Sequence, residues 1–240
     1  MQKSSKEEIA LKMVIQQSVK REEEEEEENV NSSQIHTDRW IKHYSSCHRI
    51  LLVGEGDFSF STCLASAFGW ASNMVATSLD SQGFVVKNYE SGLSNLVELE
   101  IRKCIVLHGI DATKMASHTL LAGIKFDRIV FNFPFAGFFK ELPRDTLLRL
   151  HRTLVSRFME NAKEMLSQNG EIHITHKTNG FHREWMLEGL ALLHDLRLVE
   201  TVDFDQEEWP GYNTKRGFGG DCNFNCNPSI TYKFRKITFR

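Results

Sequence analysis

Two acidic residues alternate with two glycines in the segment Gly54-Glu55-Gly56-Asp57. Glycine tolerates positive φ and lets a ligand come close to the backbone. Two carboxylates in such a turn would repel a pyrophosphate, but they would attract a cationic amino group. S-adenosylmethionine carries such an amino group, together with a ribose and a sulfonium, and has no phosphate. Gly54, Glu55, Gly56 and Asp57 are therefore candidate residues for binding this cofactor, the alternative being a tight turn with ordinary surface acids.

The glycine turn differs from two other nucleotide-binding motifs. Ser59 stands where the dinucleotide fingerprint requires a third glycine, and no Gly-Lys-Ser/Thr sequence follows as in a P-loop. Both differences weigh against a nicotinamide-dependent oxidoreductase, which is the other Rossmann-type enzyme to consider.

The elements predicted around this turn place it at the edge of a sheet. The short apolar run from Ile50 to Val53 suits a buried strand, and the stretch 58–67, which contains neither proline nor glycine, predicts a helix. In open α/β sheets, a turn from strand to helix lies at the carboxyl edge of the strands, where nucleotide-like ligands bind.

Two further aspartates follow predicted strands. Asp80 ends the strand predicted over 73–79, and Asp111 follows the strand predicted over 104–108. An acid at the end of the second strand commonly binds ribose hydroxyls, and Asp111 is placed to accept a hydrogen bond from an adenine amino group. Each aspartate could instead cap the next element, which for Asp111 is a helix predicted over 112–122.

The segment Asn132-Phe133-Pro134 ends the strand predicted over 126–131. Proline after a strand forces an extended turn that projects the preceding side chains outward. Asn132 offers both a hydrogen-bond donor and an acceptor, and phenylalanine can stack on a flat base. Asn132, Phe133 and Pro134 are therefore the candidate catalytic residues, with an aromatic corner of the core as the alternative.

Basic and aromatic residues beyond two later strands suit a single-stranded nucleic acid. Lys177 follows the strand predicted over 171–176, next to His176, for which a structural role is favoured. The long loop 209–220 interleaves aromatic and basic residues among glycines, and its alternative role is an ordinary connection. The candidate RNA-binding residues are Lys177, Tyr212, Lys215 and Arg216.

Composition sets the protein class. The 240 residues are 41% hydrophobic, which favours one domain with a sizeable core. A net charge of −3 gives no overall signal for nucleic-acid binding, so such binding needs a local patch. No apolar stretch approaches the ~18 residues of a membrane span. The five cysteines are typical of reduced intracellular thiols, and no metal site is expected because Cys222 and Cys226 lack a second pair.

An acid-rich N-terminal region precedes the predicted domain. Residues 22–28 are seven consecutive glutamates, and like charges in a run repel one another. Residues 1–46 are therefore predicted to be a disordered acidic tail, and residues 47–240 a single Rossmann-like domain. A tail that binds basic partners is the functional alternative.

The order of elements predicts the fold. Strands and helices alternate five times, and two strands predicted over 196–204 and 230–235 close the chain. Alternation implies a parallel sheet with right-handed crossovers, and the closing pair indicates an antiparallel edge. We therefore predict an α/β protein with the Rossmann-like class I methyltransferase fold, a seven-stranded, mostly parallel sheet with an antiparallel closing strand. The remaining helices are predicted over 84–100, 147–166 and 184–193.

Five motifs follow one another along residues 48–236. They are Gly54-Glu-Gly-Asp-Phe-Ser-Phe-Ser61, Ala76-Thr-Ser-Leu-Asp80, Gly109-Ile-Asp-Ala-Thr113, Phe126-Asp-Arg-Ile-Val-Phe-Asn-Phe-Pro134 and Tyr212-Asn-Thr-Lys215. Together they resemble the large-subunit ribosomal RNA uridine-N(3)-methyltransferase family. The resemblance implies methyl transfer from S-adenosylmethionine to a ring nitrogen of a uridine in ribosomal RNA. It also implies a location in the nucleolus, with the cytoplasm as the alternative.

One residue departs from the pattern of that family. The family usually has a histidine after the Asn-Phe-Pro turn, whereas this chain has Phe135. The alternative function is therefore a non-catalytic RNA- or cofactor-binding protein that retains the methyltransferase fold.

Overall fold

The computed structural model describes residues 38–217 and 220–238. Residues 1–37 of the predicted tail lie outside the described residues, as do Phe218 and Gly219 of the predicted loop. The domain between them contains strands and helices in the predicted alternation.

Seven strands form the central sheet. They are β3 (Ile50–Leu52), β4 (Met74–Ser78), β5 (Ile105–His108), β6 (Phe126–Asn132), β7 (Leu166–Lys177), β8 (Leu196–Asp203) and β11 (Ser229–Lys236). Four short strands form two separate hairpins. These are β1 (Trp40–Ile41) with β2 (Tyr44–Ser45), and β9 (Lys215–Gly217) with β10 (Gly220–Asn223).

Six α-helices occur within the described residues. They are α1 (Ser59–Phe68), α2 (Gln82–Asn88), α3 (Gly92–Ile101), α4 (Arg144–Met165), α5 (Gly180–Arg183) and α6 (Leu187–Leu192). The segment 84–100, predicted as one helix, is divided between α2 and α3. The break occurs because Tyr89 has the extended dihedrals φ −121° and ψ 124°, which end α2.

The strand order β5-β4-β3-β6-β7-β11-β8 confirms the predicted seven-stranded sheet. The pairs β3–β4, β3–β6, β4–β5 and β6–β7 are parallel, whereas β11 is antiparallel to both β7 and β8. The predicted antiparallel closing strand is confirmed as β11, which lies between β7 and β8 and leaves β8 at the edge of the sheet.

Apolar side chains cover both faces of the sheet. Neighbouring residues of a strand point to opposite faces, so Leu51 packs in one core cluster and Leu52 in the other. Helix α4 buries Val155 and Phe158 against the first cluster, and α1 buries Leu64 in the second. This double coverage fixes the carboxyl ends of the parallel strands, where the candidate residues lie.

The prediction of a helix over 112–122 was wrong. The segment contains only a 3-10 turn, Met115–Ser117. Asn161 on α4 explains the difference, because its Oδ1 accepts from the backbone N–H of Ala116 at 3.0 Å and its Nδ2 donates to the carbonyl of Thr113 at 2.9 Å. These contacts engage backbone groups that a continuous helix would need for itself.

Gly170 lies inside the strand that directly follows the long helix. Helix α4 ends at Met165, and β7 begins at Leu166 without an intervening loop. A Cβ at position 170 would lie 2.8 Å from the carbonyl oxygen of Phe126. The glycine therefore serves the close approach of β6 and β7, where the register shifts.

The predicted boundary between tail and domain was placed too late in the chain. Residues 38–46 are part of the fold, because the β1–β2 hairpin packs against the domain. Tyr44 is 1% exposed and its hydroxyl lies 3.0 Å from Nδ1 of His173. Arg39 donates to the carbonyl of Phe68 at 3.0 Å and so ties the hairpin to the end of α1.

Candidate active site

A cavity of about 470 Å³ lies at the carboxyl edge of the parallel strands. All thirteen site residues predicted from the sequence line it. They are Gly54, Glu55, Gly56, Asp57, Asp80, Asp111, Asn132, Phe133, Pro134, Lys177, Tyr212, Lys215 and Arg216. The parallel topology thus gathers residues that are distant in the sequence.

The glycine turn after β3 forms one wall of the cavity. Gly54 has φ +69°, and a Cβ there would collide with the ring of Phe131. A Cβ at Gly56 would lie 3.4 Å from Cβ of Lys215, which shows that the β9–β10 hairpin lies against the turn. Asn213, just before that hairpin, donates its N–H to Oγ of Ser59 at 2.9 Å. The turn is therefore enclosed between β6 and the hairpin.

The carboxylate of Glu55 is engaged by the protein. Its Oε2 accepts from the N–H of Ser61 at 3.0 Å and from the Ser61 hydroxyl at 2.7 Å. Burial raises the pKa of Glu55 to about 7, against the lowering effect of these hydrogen bonds. Glu55 therefore anchors the first turn of α1. Its predicted contact with the cofactor stays a prediction.

Asp57 has a carboxylate oxygen available for a ligand. Its Oδ1 accepts from the N–H of Ser59 at 3.0 Å, while its buried Oδ2 has no hydrogen-bond partner within residues 38–217 and 220–238. Burial raises the pKa of Asp57, and Lys215 nearby opposes that effect. An uncompensated buried carboxylate oxygen is costly, so the site fits a ligand that supplies a cation. The amino group of S-adenosylmethionine meets this need.

Asp80 and Asp111 follow the carboxyl ends of two neighbouring strands, β4 and β5, as predicted. Asp80 is half-buried after β4, with its Oδ2 3.5 Å from the hydroxyl of Tyr89. Asp111 caps the turn that follows it, because its Oδ1 accepts from the N–H of Thr113 at 2.9 Å and from the Thr113 hydroxyl at 2.7 Å. The capping role of Asp111 is thus present, while the ribose and adenine contacts of the two aspartates stay predictions.

Asn132 presents a hydrogen-bond donor to the cavity wall. It pairs with Thr175 across β6 and β7, and the Thr175 hydroxyl donates to Oδ1 of Asn132 at 2.7 Å. The Nδ2 group is buried and has no hydrogen-bond partner in the described part of the chain. The amide orientation set by Thr175 therefore leaves an N–H donor for a ligand.

Phe133 and Phe135 pack within the protein. Phe133 has φ +51°, and its ring lies 5.4 Å from that of Phe204 in an edge-to-face contact. Phe135 stacks on His151 at 4.7 Å between ring centroids. His151 in turn accepts at Nδ1 from the N–H of Ala136 at 3.1 Å, which holds the turn after Pro134 against α4. The aromatic corner considered as an alternative therefore exists beside the pocket.

Sequence reasoning missed His176 as a site residue. His176 is 2% exposed and lines the cavity, and burial lowers its pKa to about 4. Its Nδ1 lies 2.7 Å from the carbonyl oxygen of Lys177, so the neutral ring carries its proton on Nδ1. Nε2 is then an acceptor, and it has no hydrogen-bond partner within the described ranges. The sequence signal that could have indicated this role is the position of His176 at the carboxyl end of a predicted strand.

The four predicted RNA-binding residues differ in their surroundings. Lys177 donates through Nζ to the carbonyl of Asn225 at 2.7 Å. The ring of Tyr212 lies 5.1 Å from that of Phe60 in an edge-to-face contact. Lys215 is 10% exposed and pairs with Asp221 at 2.8 Å, which directs it to the glycine turn instead of the exterior. Arg216 is exposed, as expected for a phosphate contact.

The family described as rRNA (uridine-N3-)-methyltransferase BTM5-like matches residues 51–216 of the chain. The chain belongs to this BMT5-like family. The resemblance predicted from five motifs is confirmed. The match ends at Arg216 and includes both the glycine turn and Asn132.

Two Arabidopsis thaliana proteins are similar to this BMT5-like chain. Heavy metal-associated isoprenylated plant protein 41 is 48% identical over 198 residues, which cover 82% of this chain and 38% of that protein. A second protein, described as uncharacterized, is 45% identical over 203 residues, which cover 82% of this chain and 97% of that protein. The chain thus spans well under half of the first relative and nearly all of the second.

Solved structures agree with the fold of the BMT5-like chain. The glycopeptide N-methyltransferase MtfA is 10% identical, with a TM-score of 0.50, and the alignment covers 79% of this chain and 84% of that one. This likeness concerns the Rossmann-like fold alone. In the described part of the chain, no helix combines the length and apolar character needed to cross a membrane. The same residues contain no cluster of three or more His, Cys, Asp or Glu side chains suited to a metal ion.

Proposed function

We propose that this chain transfers a methyl group from S-adenosylmethionine to N3 of a uridine in large-subunit ribosomal RNA. Membership of the BMT5-like family supports the reaction class. The lengths of the relatives differ widely, so the proposal concerns this domain and the site that it contains.

The observation that supports a uracil substrate is a pair of buried polar groups without partners among the described residues. Nδ2 of Asn132 is a donor and Nε2 of His176 is an acceptor, and both residues line the same cavity. The imide edge of uracil presents a carbonyl acceptor beside an N–H donor. A base whose imide edge reaches both groups would remove the cost of burying them unpaired.

The residues of the site divide the work of methyl transfer between them. When bound, S-adenosylmethionine would supply an electrophilic methyl group, whose bond to sulfur breaks as the bond to N3 forms, with the electron pair left on the sulfur of the thioether product. Asp57 holds the cofactor end of the cavity through its unpartnered Oδ2. Asn132 orients the base by donating to a carbonyl, and Nε2 of His176 accepts a hydrogen bond from the imide N–H. Burial lowers the pKa of His176 to about 4, so its ring is neutral near pH 7 and serves as this acceptor, and the imide proton is released to water as N3 is methylated.

The non-catalytic alternative rested on Phe135. The family match does not favour it, and the site contains a hydrogen-bond acceptor for the imide N–H in His176 although position 135 carries no titratable group. Phe135 instead stacks on His151 and shapes the apolar side of the pocket.

The test is a methyl-transfer assay on unmodified ribosomal RNA. The full chain is first titrated calorimetrically with S-adenosylmethionine, with NAD as the control ligand. It is then incubated with RNA and the methyl donor, and N3-methyluridine is mapped as a stop in reverse transcription. Binding of the donor with no modified uridine would contradict the substrate, and an Asn132→Ala variant with full turnover would contradict the pocket.

The proposed location follows from the proposed substrate. Large-subunit ribosomal RNA is transcribed and first modified in the nucleolus, and the cytoplasm is the alternative. Imaging of a fluorescent fusion of the full chain beside a nucleolar marker tests this. Exclusion from the nucleus would contradict the nucleolar location.

A further inference from the structure

A second cavity, of about 440 Å³, adjoins the candidate active site. The two cavities share His176, Lys177 and His182, which form a common wall. Residues of α6 and β11 line the second cavity but not the first. The two cavities are therefore neighbours at the carboxyl end of β7, where His176 and Lys177 lie.

The second cavity has cationic groups with spare hydrogen-bonding capacity. Arg183 is exposed, and only its Nε has a partner in the described part of the chain, the carbonyl of Thr178 at 3.3 Å. Lys177 donates one N–H to the carbonyl of Asn225 and keeps two others. Glu188 also lines the cavity, so two permanent cations face one carboxylate. This balance suits a phosphate group.

Apolar surface accompanies these cations. Met186 is 60% exposed and Tyr232 is half-buried, and the two line the cavity from segments that are distant in the sequence. Ring and thioether surfaces beside guanidinium and ammonium groups are the combination that holds an unstacked nucleotide of single-stranded RNA.

We infer that the second cavity binds the nucleotide next to the target uridine in a single-stranded RNA. The phosphate between the two nucleotides contacts Arg183 and Lys177, and the adjoining base lies against Met186 and Tyr232. The inference rests on the proposed function, because it requires the target base to occupy the first cavity. It adds a second binding site and makes a free uridine nucleotide a poor substrate.

The test compares two charge reversals in the full chain. Arg183→Glu alters the second cavity, whereas Arg197→Glu alters an exposed arginine near the start of β8, which pairs with Arg235 at the end of β11 away from the cavity. Binding of a short fluorescein-labelled oligouridylate is measured by anisotropy across a salt series. We expect R183E to bind on the order of tenfold more weakly, with a salt dependence shallower by about 0.7 in logarithmic slope for each phosphate that it no longer binds. R197E should match the wild type.

A competition experiment supplies the second readout. Unlabelled uridine dinucleotide should displace the probe from the wild type better than uridine monophosphate, and R183E should lose this preference. Equal effects of R183E and R197E, or no effect of either, would overturn the inference. Methylation of ribosomal RNA by the wild type would then leave the proposed function standing. Failure of the wild type to bind the RNA probe at all would also overturn the inference, whereas the methyl-transfer assay on ribosomal RNA decides the proposed function separately.

Discussion

The hydroxyl of Thr175 donates to Oδ1 of Asn132 at 2.7 Å and thereby joins the carboxyl ends of two parallel strands. The same hydroxyl lies 3.0 Å from Oγ1 of Thr231 on the antiparallel strand β11. Three strands thus determine which atom of the Asn132 amide is left for a ligand.

Replacing Thr175 by valine should therefore impair catalysis more than cofactor binding. Thr175→Val keeps the shape of the side chain but removes the group that orients Asn132. We expect kcat to fall about tenfold, the affinity for S-adenosylmethionine to stay unchanged, and stability to fall by about 1 kcal/mol. Thr231→Val is the matched control, because it also breaks the contact with Thr175 and leaves Asn132 bonded. Equal losses of kcat in both variants would show that Thr175 does not act through Asn132.

The two acids of the glycine turn should respond differently to amide substitution. Asp57→Asn removes the charge of a carboxylate whose Oδ2 has no partner in the described residues, so S-adenosylmethionine should bind at least about tenfold more weakly. Glu55→Gln changes a group already bonded to Ser61, so affinity should stay within about threefold. Calorimetric titration of both variants measures the difference. A greater loss for E55Q would reverse the assignment of the ammonium site.

Alanine at Gly54 should destabilise the domain more than alanine at a second glycine with positive φ. Gly54→Ala incurs the left-handed backbone cost of about 1–2 kcal/mol and also a collision with Phe131, which costs about 1–3 kcal/mol more. Gly123 has φ +85° but open space around the position of a Cβ, so Gly123→Ala incurs only the first cost. Urea unfolding measures both. Equal destabilisation would mean that Phe131 moves aside without cost.

The stability of the domain should fall in mild acid. The pKa of His43 is lowered to about 3, chiefly by burial and then by nearby His173, Lys233 and Arg128. The unfolded chain takes up this proton near pH 6.5 but the folded chain does not, so stability is complete above that pH and is lost as the pH falls towards 3.

The variant His43→Gln tests this origin of acid sensitivity. It should reduce the slope of the unfolding free energy against pH between pH 6.5 and 4. The reduction should correspond to the uptake of up to about one proton on unfolding. Chemical denaturation at several pH values supplies the measurement. An unchanged slope would assign the acid sensitivity to other buried groups.

Much of the sheet could be predicted because buried parallel strands are short apolar runs that end in polar residues. Strands β3 to β8 and β11 lie close to their predicted positions. The helix expected over 112–122 was wrong because Asn161, some forty residues later, takes its backbone hydrogen bonds. The β1–β2 hairpin escaped prediction because the burial of Tyr44 depends on His173, a partner distant in sequence.

The members of the site were easier to predict than the state of their polar atoms. Strand ends converge on one edge, so the residues that follow each predicted strand identified part of the cavity wall, although His176 was missed. The Ser61 hydroxyl donates to Glu55, and the carbonyl of Lys177 holds the proton of His176 on Nδ1. Neither contact has a sequence signature. The second cavity could not be predicted, because it depends on how α6 packs against β11.

The insertion of β11 between β7 and β8 also dictates when the sheet can be completed. Strand β8 pairs with β11 and with no other strand of the described chain, so it cannot join the sheet until residues 229–236 are in place. On a translating ribosome, β3 to β7 can assemble while β8 waits with an unpaired edge exposed to other chains. Strand β11, which follows β8 in the chain, is therefore the one that protects the partly synthesised protein from aggregation.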